Sequence, residues 1–125
     1  MIIEAGIKEP LSNGIDLLWT GSSASFTTKT VEVDLSNYRI LFIVARYNAS
    51  TPSIAQTSVI INDASIGPQT VGCKSSTKES YRTVTITSTG LTISNGTIIS
   101  FSSSGTASTS TSSAVVLPTQ IYGMR

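Results

Sequence analysis

The residues that could perform acid–base chemistry in this sequence are its seven Asp and Glu residues, because it contains no His. The absence of His excludes Ser-His-Asp and Cys-His catalytic groups and most zinc sites. Two carboxylates can hydrolyse glycosides, and Glu32 and Asp34 stand two residues apart. Since alternate residues of a strand share one face, we expect this pair to form a solvated polar edge. The other acids are scattered singly, so we predict no catalytic residue, no metal site and no cofactor.

Exposed aromatic rings beside polar groups offer a second kind of chemistry, the binding of sugar rings. Trp19, Tyr47 and Tyr81 are candidates for such a platform, and Arg82 and Tyr122 are further candidates for ligand or interface contacts. Trp19 follows two leucines, which favours a core or interface position for its ring. For Tyr81, a core role and a ligand role both stay open.

The composition narrows the class of protein. Of the 125 residues, 39% are hydrophobic and 12% are charged, and the formal net charge is +1. Because no basic cluster occurs, we expect no nucleic-acid partner. The longest apolar run, residues 40–45, is far shorter than the ~18 residues of a membrane span, so we expect no membrane insertion. The single Cys73 is expected to be a small apolar filler or an exposed free thiol.

The elements that would position these residues are strands. The sequence has 15 Ile, 8 Val and 18 Thr, whose branched side chains favour strands over helices, and no segment shows helical apolar spacing. We predict an all-β, single-domain, antiparallel β-sandwich that is jelly-roll-like and has about eight short strands. The predicted strands are residues 15–20, 26–35, 39–47, 57–62, 69–75, 81–88, 91–94, 97–102 and 115–122.

Three of these strands carry more specific predictions. The run 40–44 is apolar at every position, which is typical of a central strand covered on both faces. In strand 81–88, alternation directs Arg82, Val84 and Ile86 to one side, and we expect Val84 and Ile86 to face the core. Pro118 indicates an edge or bulged position for the last strand.

The connections carry predictions of their own. Asn95-Gly96 predicts a tight hairpin between strands 91–94 and 97–102. Residues 102–113 are only Ser, Thr, Gly and Ala, which predicts a mobile loop, and residues 48–56 form a second loop. Residues 1–13 are interpreted as a leader that forms an extra strand or a subunit contact, and residues 14–125 as the sandwich domain.

The threonine-rich strands and the low charge indicate how the surface is used. Threonine on an exposed strand face keeps the β-propensity high without adding a charge or a large apolar patch. Interface cores are depleted in charge, and this chain has much neutral surface that a partner subunit could bury. We therefore expect self-association, to a trimer or a larger oligomer.

The order of segments resembles a family of small β-rich modules in structural proteins of tailed bacteriophages and prophages. The matching segments are Leu18-Trp-Thr20 followed by a Ser-rich gap and Phe26, Val31-Glu-Val-Asp-Leu-Ser-Asn-Tyr38, Tyr81-Arg-Thr-Val-Thr-Ile-Thr-Ser-Thr-Gly90-Leu-Thr-Ile, and the closing Pro118-Thr-Gln-Ile-Tyr-Gly123. The resemblance extends over nearly the whole chain from Asp16 onward.

This resemblance implies a non-enzymatic, oligomeric virion component made in the bacterial host cytoplasm, of the tail-fibre, baseplate or receptor-binding type. Its implied partners are other copies of itself, other virion proteins and host cell-surface carbohydrate. Two alternatives stay open: a capsid decoration or head-fibre protein, and a carbohydrate-binding β-sandwich module. The resemblance leaves open whether the chain is complete or part of a longer protein.

Overall fold

The computed structural model describes residues 14–22, 24–48, 55–74 and 78–125. These residues form ten strands and one short 3-10 helix, arranged as two antiparallel sheets around a shared core. The prediction of a single all-β sandwich domain with little or no helix is confirmed. The elements are β1 (Ile15–Thr20), β2 (Lys29–Glu32), β3 (Ile40–Asn48), β4 (Ala55–Ile61), the 3-10 helix (Ala64–Ile66), β5 (Gln69–Lys74), β6 (Lys78–Thr87), β7 (Gly90–Ile93), β8 (Gly96–Phe101), β9 (Ala107–Ser112) and β10 (Val115–Met124).

The predicted leader, residues 1–13, and most of the predicted loop 48–56 lie outside the described residues. No helix in the described ranges is long and apolar enough to cross a membrane.

The four-stranded sheet has the order β1–β10–β3–β4. Alternate residues of β3 point into the core, where Leu41, Ile43 and Ala45 are fully buried. Ile121 of β10 lies beside Ile43, and Ile60 of β4 lies beside Leu41. The inward side chains of neighbouring strands therefore form one continuous apolar layer.

β6 is the centre of the six-stranded sheet. β5 pairs with one edge of β6, while β8 and β7 pair end to end with the other edge, and β9 and β2 extend the sheet beyond them. Val84 and Ile86 of β6 are buried against the core, as their alternation predicts. Leu91 and Ile93 of β7 are fully buried beside them.

Side chains close the edge where the two sheets meet. The Gln69 side chain of β5 accepts a hydrogen bond from the Ile61 N–H at 2.9 Å and donates one to the Ile61 carbonyl at 2.7 Å. The Ser58 hydroxyl of β4 accepts a hydrogen bond from the Gly72 N–H at 3.2 Å. These contacts satisfy backbone groups that would otherwise lie unpaired at the edges of β4 and β5.

β3 is central in its sheet, as expected, but among the described residues only one of its two faces is covered. Its inward residues are buried, whereas Ile40, Phe42 and Val44 on the outward side stay partly exposed. The described part of the chain has only two sheets, and neither lies over this outward side. The strand therefore has the sequence of a strand covered on both faces, whereas the described residues cover only its inward face.

The hairpin predicted at Asn95-Gly96 does not form. β7 and β8 flank this dipeptide, yet both pair with the same edge of β6 and not with each other. Gly96 does not adopt the positive φ that a tight hairpin turn requires, and it is buried against the Ser112 carbonyl and Val115. Pairing with β6 thus overrides the local turn preference.

The predicted loop 102–113 is also wrong, because β9 lies within it. β9 pairs along its whole length with β8, and a short turn precedes it, in which Gly105 has a φ of 86°. The Ser102 N–H donates to the Thr106 carbonyl at 2.9 Å across this turn. Residues 107–111 are exposed, so backbone pairing and the β-propensity of Thr form this strand without burial of apolar area.

Pro118 lies at a bulge, which confirms one of the two positions predicted for it. The register of β10 against β3 shifts between Pro118 and Gln120. The alternative, an edge strand, is wrong, because β10 lies between β1 and β3. The sheet tolerates Pro here because β1 pairs with β10 only from Gln120 onward.

Candidate interaction surface

The outward side chains of the four-stranded sheet form a continuous apolar surface, which we call the apolar outer face. Phe42 of β3 lies between Tyr122 of β10 and Val59 of β4, and Leu17 of β1 extends this row beyond Tyr122. The next row along the strands is also apolar. The face consists of Ile15, Leu17, Ile40, Phe42, Val44, Val59, Ile61, Tyr122 and Met124.

The margins of this face are its most exposed part. Ile15 and Leu17 on β1 are 45% and 53% exposed, and Val59 and Ile61 on β4 are 59% and 51% exposed. Full burial of one such side chain contributes roughly 1.5–3 kcal/mol, so their exposure forgoes considerable stabilisation. Contiguous apolar patches of this kind mark interaction sites on soluble proteins.

Polar residues bound the face at one end. Val44, the last apolar member of the face, lies between the polar Gln120 and Thr57, and Thr20 lies beyond Gln120. In the following row, Arg46 lies on β3. No residue of the apolar outer face itself is charged. Charge is therefore confined to the border of this surface.

At the other end, Asp16 fixes β1 in place. Its Oδ2 accepts hydrogen bonds from the Tyr38 hydroxyl at 2.7 Å and from Nη2 of Arg125 at 2.9 Å. The Tyr38 hydrogen bond, and then the Arg125 hydrogen bond, lower the pKa of the Asp16 carboxyl below its usual value. The same bond to Asp16 raises the pKa of Tyr38. These contacts hold the strand that carries Ile15 and Leu17.

The six-stranded sheet has an outer face of a different kind, which we call the threonine outer face. Thr85 of β6 lies beside Thr92 of β7, which lies beside Thr30 of β2, so one row crosses three strands. Ile99 and Phe101 of β8 are apolar exceptions on this face, and Phe101, at the margin, is 48% exposed. The threonines of this face are Thr30, Thr70, Thr83, Thr85, Thr87, Thr92, Thr97, Thr109 and Thr111.

Arg82, a candidate ligand residue from the sequence, lies inside the protein and is 0% exposed. Its Nε donates to the Val115 carbonyl at 2.9 Å, and its Nη2 donates to the Ser113 carbonyl at 2.9 Å. Its Nη1 donates to the carbonyls of Phe26 at 2.9 Å and Ser94 at 3.0 Å. The guanidinium lies 3.9 Å from the centre of the Phe26 ring.

These contacts make Arg82 a structural residue that no ligand reaches in this structure. Burial lowers the pKa of its guanidinium to about 10, so the side chain stays charged at neutral pH. Main-chain carbonyl oxygens replace the solvent around it. The sequence contained a signal for this position, because alternation places Arg82 on the same side of β6 as Val84 and Ile86.

The other candidate residues lie at separate places. Trp19 and Tyr47 are partly buried and pack against the core, and the Trp19 ring also covers Gly21. Tyr122 lies on the apolar outer face and Tyr81 on the threonine outer face. The structure therefore brings none of the five candidates together into one site.

Tyr81 lines a hollow of about 290 Å³ at the end of β5. Gly72, opposite Tyr81 on β5, leaves space beside the ring because it has no side chain. Hydroxyl and amide groups of Ser58, Thr70 and Gln56 also line the hollow. Lys74 and Glu79 form an exposed ion pair there, with Nζ and Oε2 3.6 Å apart.

Glu32 and Asp34 both line a wide groove of about 550 Å³ at one end of the sandwich. Asp34 Oδ1 accepts hydrogen bonds from the hydroxyl of Ser36 at 2.7 Å and from its N–H at 3.0 Å, which forms the predicted turn. The side-chain hydrogen bond first, and the backbone hydrogen bond second, lower the pKa of Asp34. The Asp34 carboxylate therefore stabilises a turn, which is an ordinary structural role for a surface aspartate.

Cys73 is a buried core residue, and its burial raises the pKa of the thiol. Its Sγ lies 3.7 Å from the Ala45 carbonyl oxygen. Within the described residues, no three His, Cys, Asp or Glu side chains come together in a group that could hold a metal ion.

Sequence reasoning missed the main members of the apolar outer face, because it looked for aromatic and charged residues. Ile15, Leu17, Val59 and Ile61 are aliphatic and belong to short strands whose two faces cannot be told apart from periodicity alone. The available signal was the unbroken apolar run of β3, which is typical of a strand covered on both faces.

In fold and surface, the chain is a two-sheet, all-β protein with one apolar and one threonine-covered outer face. No protein-family model matches the chain, and no curated protein and no solved structure matches it.

Proposed function

We propose that this protein is a non-enzymatic structural component of a bacteriophage virion, of the tail-fibre, baseplate or receptor-binding type, and that it works as a homo-oligomer. The observation that carries the proposal is the apolar outer face, which suits a protein that acts by contact with other protein surfaces. The resemblance of the segments between Asp16 and Gly123 to modules of phage structural proteins supports the virion assignment.

Purified particles test the virion assignment. Particles are banded in a density gradient from the phage or induced lysogen that encodes the chain, and tryptic peptide 30–39 is quantified by mass spectrometry. We expect the peptide to band with the particles at a copy number similar to that of other structural proteins. Its presence only in the soluble fraction of the lysate would refute the proposal.

The same particles separate the tail role from the alternative of a capsid decoration or head-fibre protein. Heads and tails are dissociated and separated, and the peptide is quantified in each fraction. A tail fraction supports the tail-fibre, baseplate or receptor-binding type, whereas a head fraction supports the alternative.

The hollow beside Tyr81 favours a second candidate function, binding of host cell-surface carbohydrate. An aromatic ring next to an open notch, with hydroxyl and amide groups around it, suits the apolar face and the hydroxyls of a sugar ring. Bacterial cell-wall and capsular oligosaccharides are the probes. Tyr81→Ala should weaken binding at least tenfold, Thr87→Ala on the same sheet face should not, and no binding by the unchanged chain removes this candidate.

A further inference from the structure

We infer that the apolar outer face packs against the same face of another copy of this chain. This inference rests on the homo-oligomer in the proposed function and deepens it, because it names the surface that forms the contact. The occupant is a second copy, and three observations on the described residues support it.

The first observation is the sequence of β3. Its outward residues Ile40, Phe42 and Val44 are as apolar as its inward residues, which is the pattern of a strand that lies between two layers. The described residues of one chain supply only the inner layer. A second copy supplies the missing one, because a sheet that stacks on this face covers all three side chains at once.

The second observation is the distribution of charge. The face has no charged member, so it offers nothing to a charged peptide, a nucleic acid or a lipid headgroup. Its best match is a surface that is also apolar, flat and made of strands. In the part of the chain that the structure describes, the threonine outer face differs from it in hydroxyl content, which makes the same face of another copy the matching surface.

The third observation is the size of the face. Four strands with a spacing of about 4.8 Å make the face about 19 Å wide, and the five residues from Ile40 to Val44 of β3 make it about 17 Å long. The projected area of about 320 Å² lies at the lower end of the range of the largest apolar patches on soluble proteins, which are often functional. A standard interface buries ~800 Å² per partner, so the contact would include the polar border as well as the apolar outer face.

The width of the face also fits the ways in which copies can meet. Two such faces can stack directly at the ~10 Å spacing of packed sheets. Three faces that form the sides of a triangle, each about 19 Å wide, would each lie about 5–6 Å from the shared axis, which is near half that spacing. Either arrangement fills its interior with side chains and leaves no channel. The trimer expected from the sequence is thus compatible with this surface.

The first experiment measures the molar mass of the full chain by size-exclusion chromatography with light scattering over a range of concentrations. We expect an oligomer for the unchanged chain. Val59→Glu should raise its dissociation constant at least tenfold, because it places a charge in a contact that excludes water. The matched control is Thr85→Glu, which adds the same charge to the opposite outer face and should leave the molar mass unchanged.

A second pair of variants guards against effects on folding. Val59→Thr with Ile61→Thr keeps the branched side chains that strands favour and adds only hydroxyls to two half-exposed positions. We expect it to fold, by circular dichroism, and to dissociate at higher concentration than the unchanged chain. Leu17→Cys should form covalent oligomers with a short bismaleimide, whereas Thr85→Cys should not, and buried Cys73 supplies no background.

Dimers or trimers that these face variants weaken would support the inference. A monomer at every concentration would overturn it, whether residues 1–13 or another protein covers the face. An oligomer that the face variants leave intact would overturn it as well. An oligomer that the face variants leave intact removes this inference alone, whereas a monomer also removes the homo-oligomer from the proposed function. The particle analysis decides the virion assignment in both cases, so its failure is distinguishable from the failure of the inference.

Discussion

The two sheets of this protein use the same kind of side chain differently on their outer faces. Thr is the commonest residue at the outward positions of the six-stranded sheet, which also carry Lys74, Glu79 and Ile99, whereas Ile, Leu, Val and Phe together are the commonest at those of the four-stranded sheet. Thr and Val have the same shape and both favour strands, so the two faces serve the fold equally well. They differ because Thr carries a hydroxyl group, which suits the threonine outer face to contact with water. The aliphatic side chains of the apolar outer face lack this group and suit burial.

The inner sides of the two sheets show the reverse difference. The six-stranded sheet buries the charged Arg82 and the hydroxyl of Ser80, whereas the inward residues Leu41, Ile43 and Ala45 of the four-stranded sheet are apolar. Each sheet therefore breaks the usual rule of apolar inside and polar outside at one place. The Arg82 hydrogen bonds explain the first exception within one chain, whereas no described residue covers the second, for which we propose contact with another copy.

The largest effect is expected from Arg82→Met, which tests the inner exception. It removes a buried cation whose four hydrogen bonds satisfy main-chain carbonyls of three segments, so those carbonyls lose their partners. We expect the free energy of unfolding to fall by about 3–5 kcal/mol, because several buried carbonyls are left unsatisfied at roughly 1–3 kcal/mol each. Urea unfolding followed by the fluorescence of Trp19, the single Trp, measures this change.

Two further variants define what Arg82 contributes. Arg82→Lys retains the charge but loses the planar fork of donors, so its stability should lie between those of Arg82→Met and the unchanged chain. Arg39→Met removes an exposed Arg and should change stability by less than about 0.5 kcal/mol. An Arg82→Met protein as stable as the unchanged chain would show that the hydrogen-bonded carbonyls do not depend on this side chain.

Adjacent residues of β3 allow a comparison of the two sides of the four-stranded sheet. Leu41→Ala leaves a cavity in the core and should cost about 2–5 kcal/mol at every protein concentration. Phe42→Ala should instead reduce the dependence of the unfolding midpoint on protein concentration, because Phe42 lies in the proposed contact with another copy. Denaturation at low and high concentration measures both, and a concentration-independent midpoint for the unchanged chain would contradict a contact through Phe42.

The threonine outer face can be changed toward the apolar one. Thr30, Thr85 and Thr92 form one row, and replacing all three with Val keeps their shape while removing three hydroxyls. We expect this variant to associate through the threonine outer face at a concentration about tenfold lower than the unchanged chain would, which is equivalent to about 1.4 kcal/mol of association free energy. Its free energy of unfolding should change little. Light scattering measures the onset.

The matched control replaces the same three residues with Ser, which keeps the hydroxyls and removes the methyl groups. It should associate no more than the unchanged chain. Equal association of the Val and Ser triples would show that the hydroxyl groups are not what keeps this face free in solution.

The sequence was sufficient for the fold class because alternation and β-branched residues act locally. It was not sufficient for the pairing of strands: Asn95-Gly96 favours a hairpin, but the edge of β6 binds both flanking strands. Residues 107–111 show the same limit, because they are exposed and no pattern of apolar residues predicts their pairing with β8. The apolar outer face could be detected only once the strand order brought together four short apolar segments that are distant in sequence.

The smallest effect is expected at Asp16, which holds the β1 margin of the apolar outer face. Its folded-state pKa is lowered below the usual 3.8 by Tyr38 and Arg125, so its contribution is present above that value and is lost as pH falls through the folded-state pKa. Asp16→Asn should therefore have a lower urea midpoint than the unchanged chain at pH 7, and the difference should shrink as the pH falls below 3.8 and through the folded-state pKa. Tyr38→Phe removes the larger of the two causes and should shrink the pH-dependent difference in the same way. A difference between Asp16→Asn and the unchanged chain that stays constant from neutral to acid pH would mean that the carboxylate does not hold β1 by its charge.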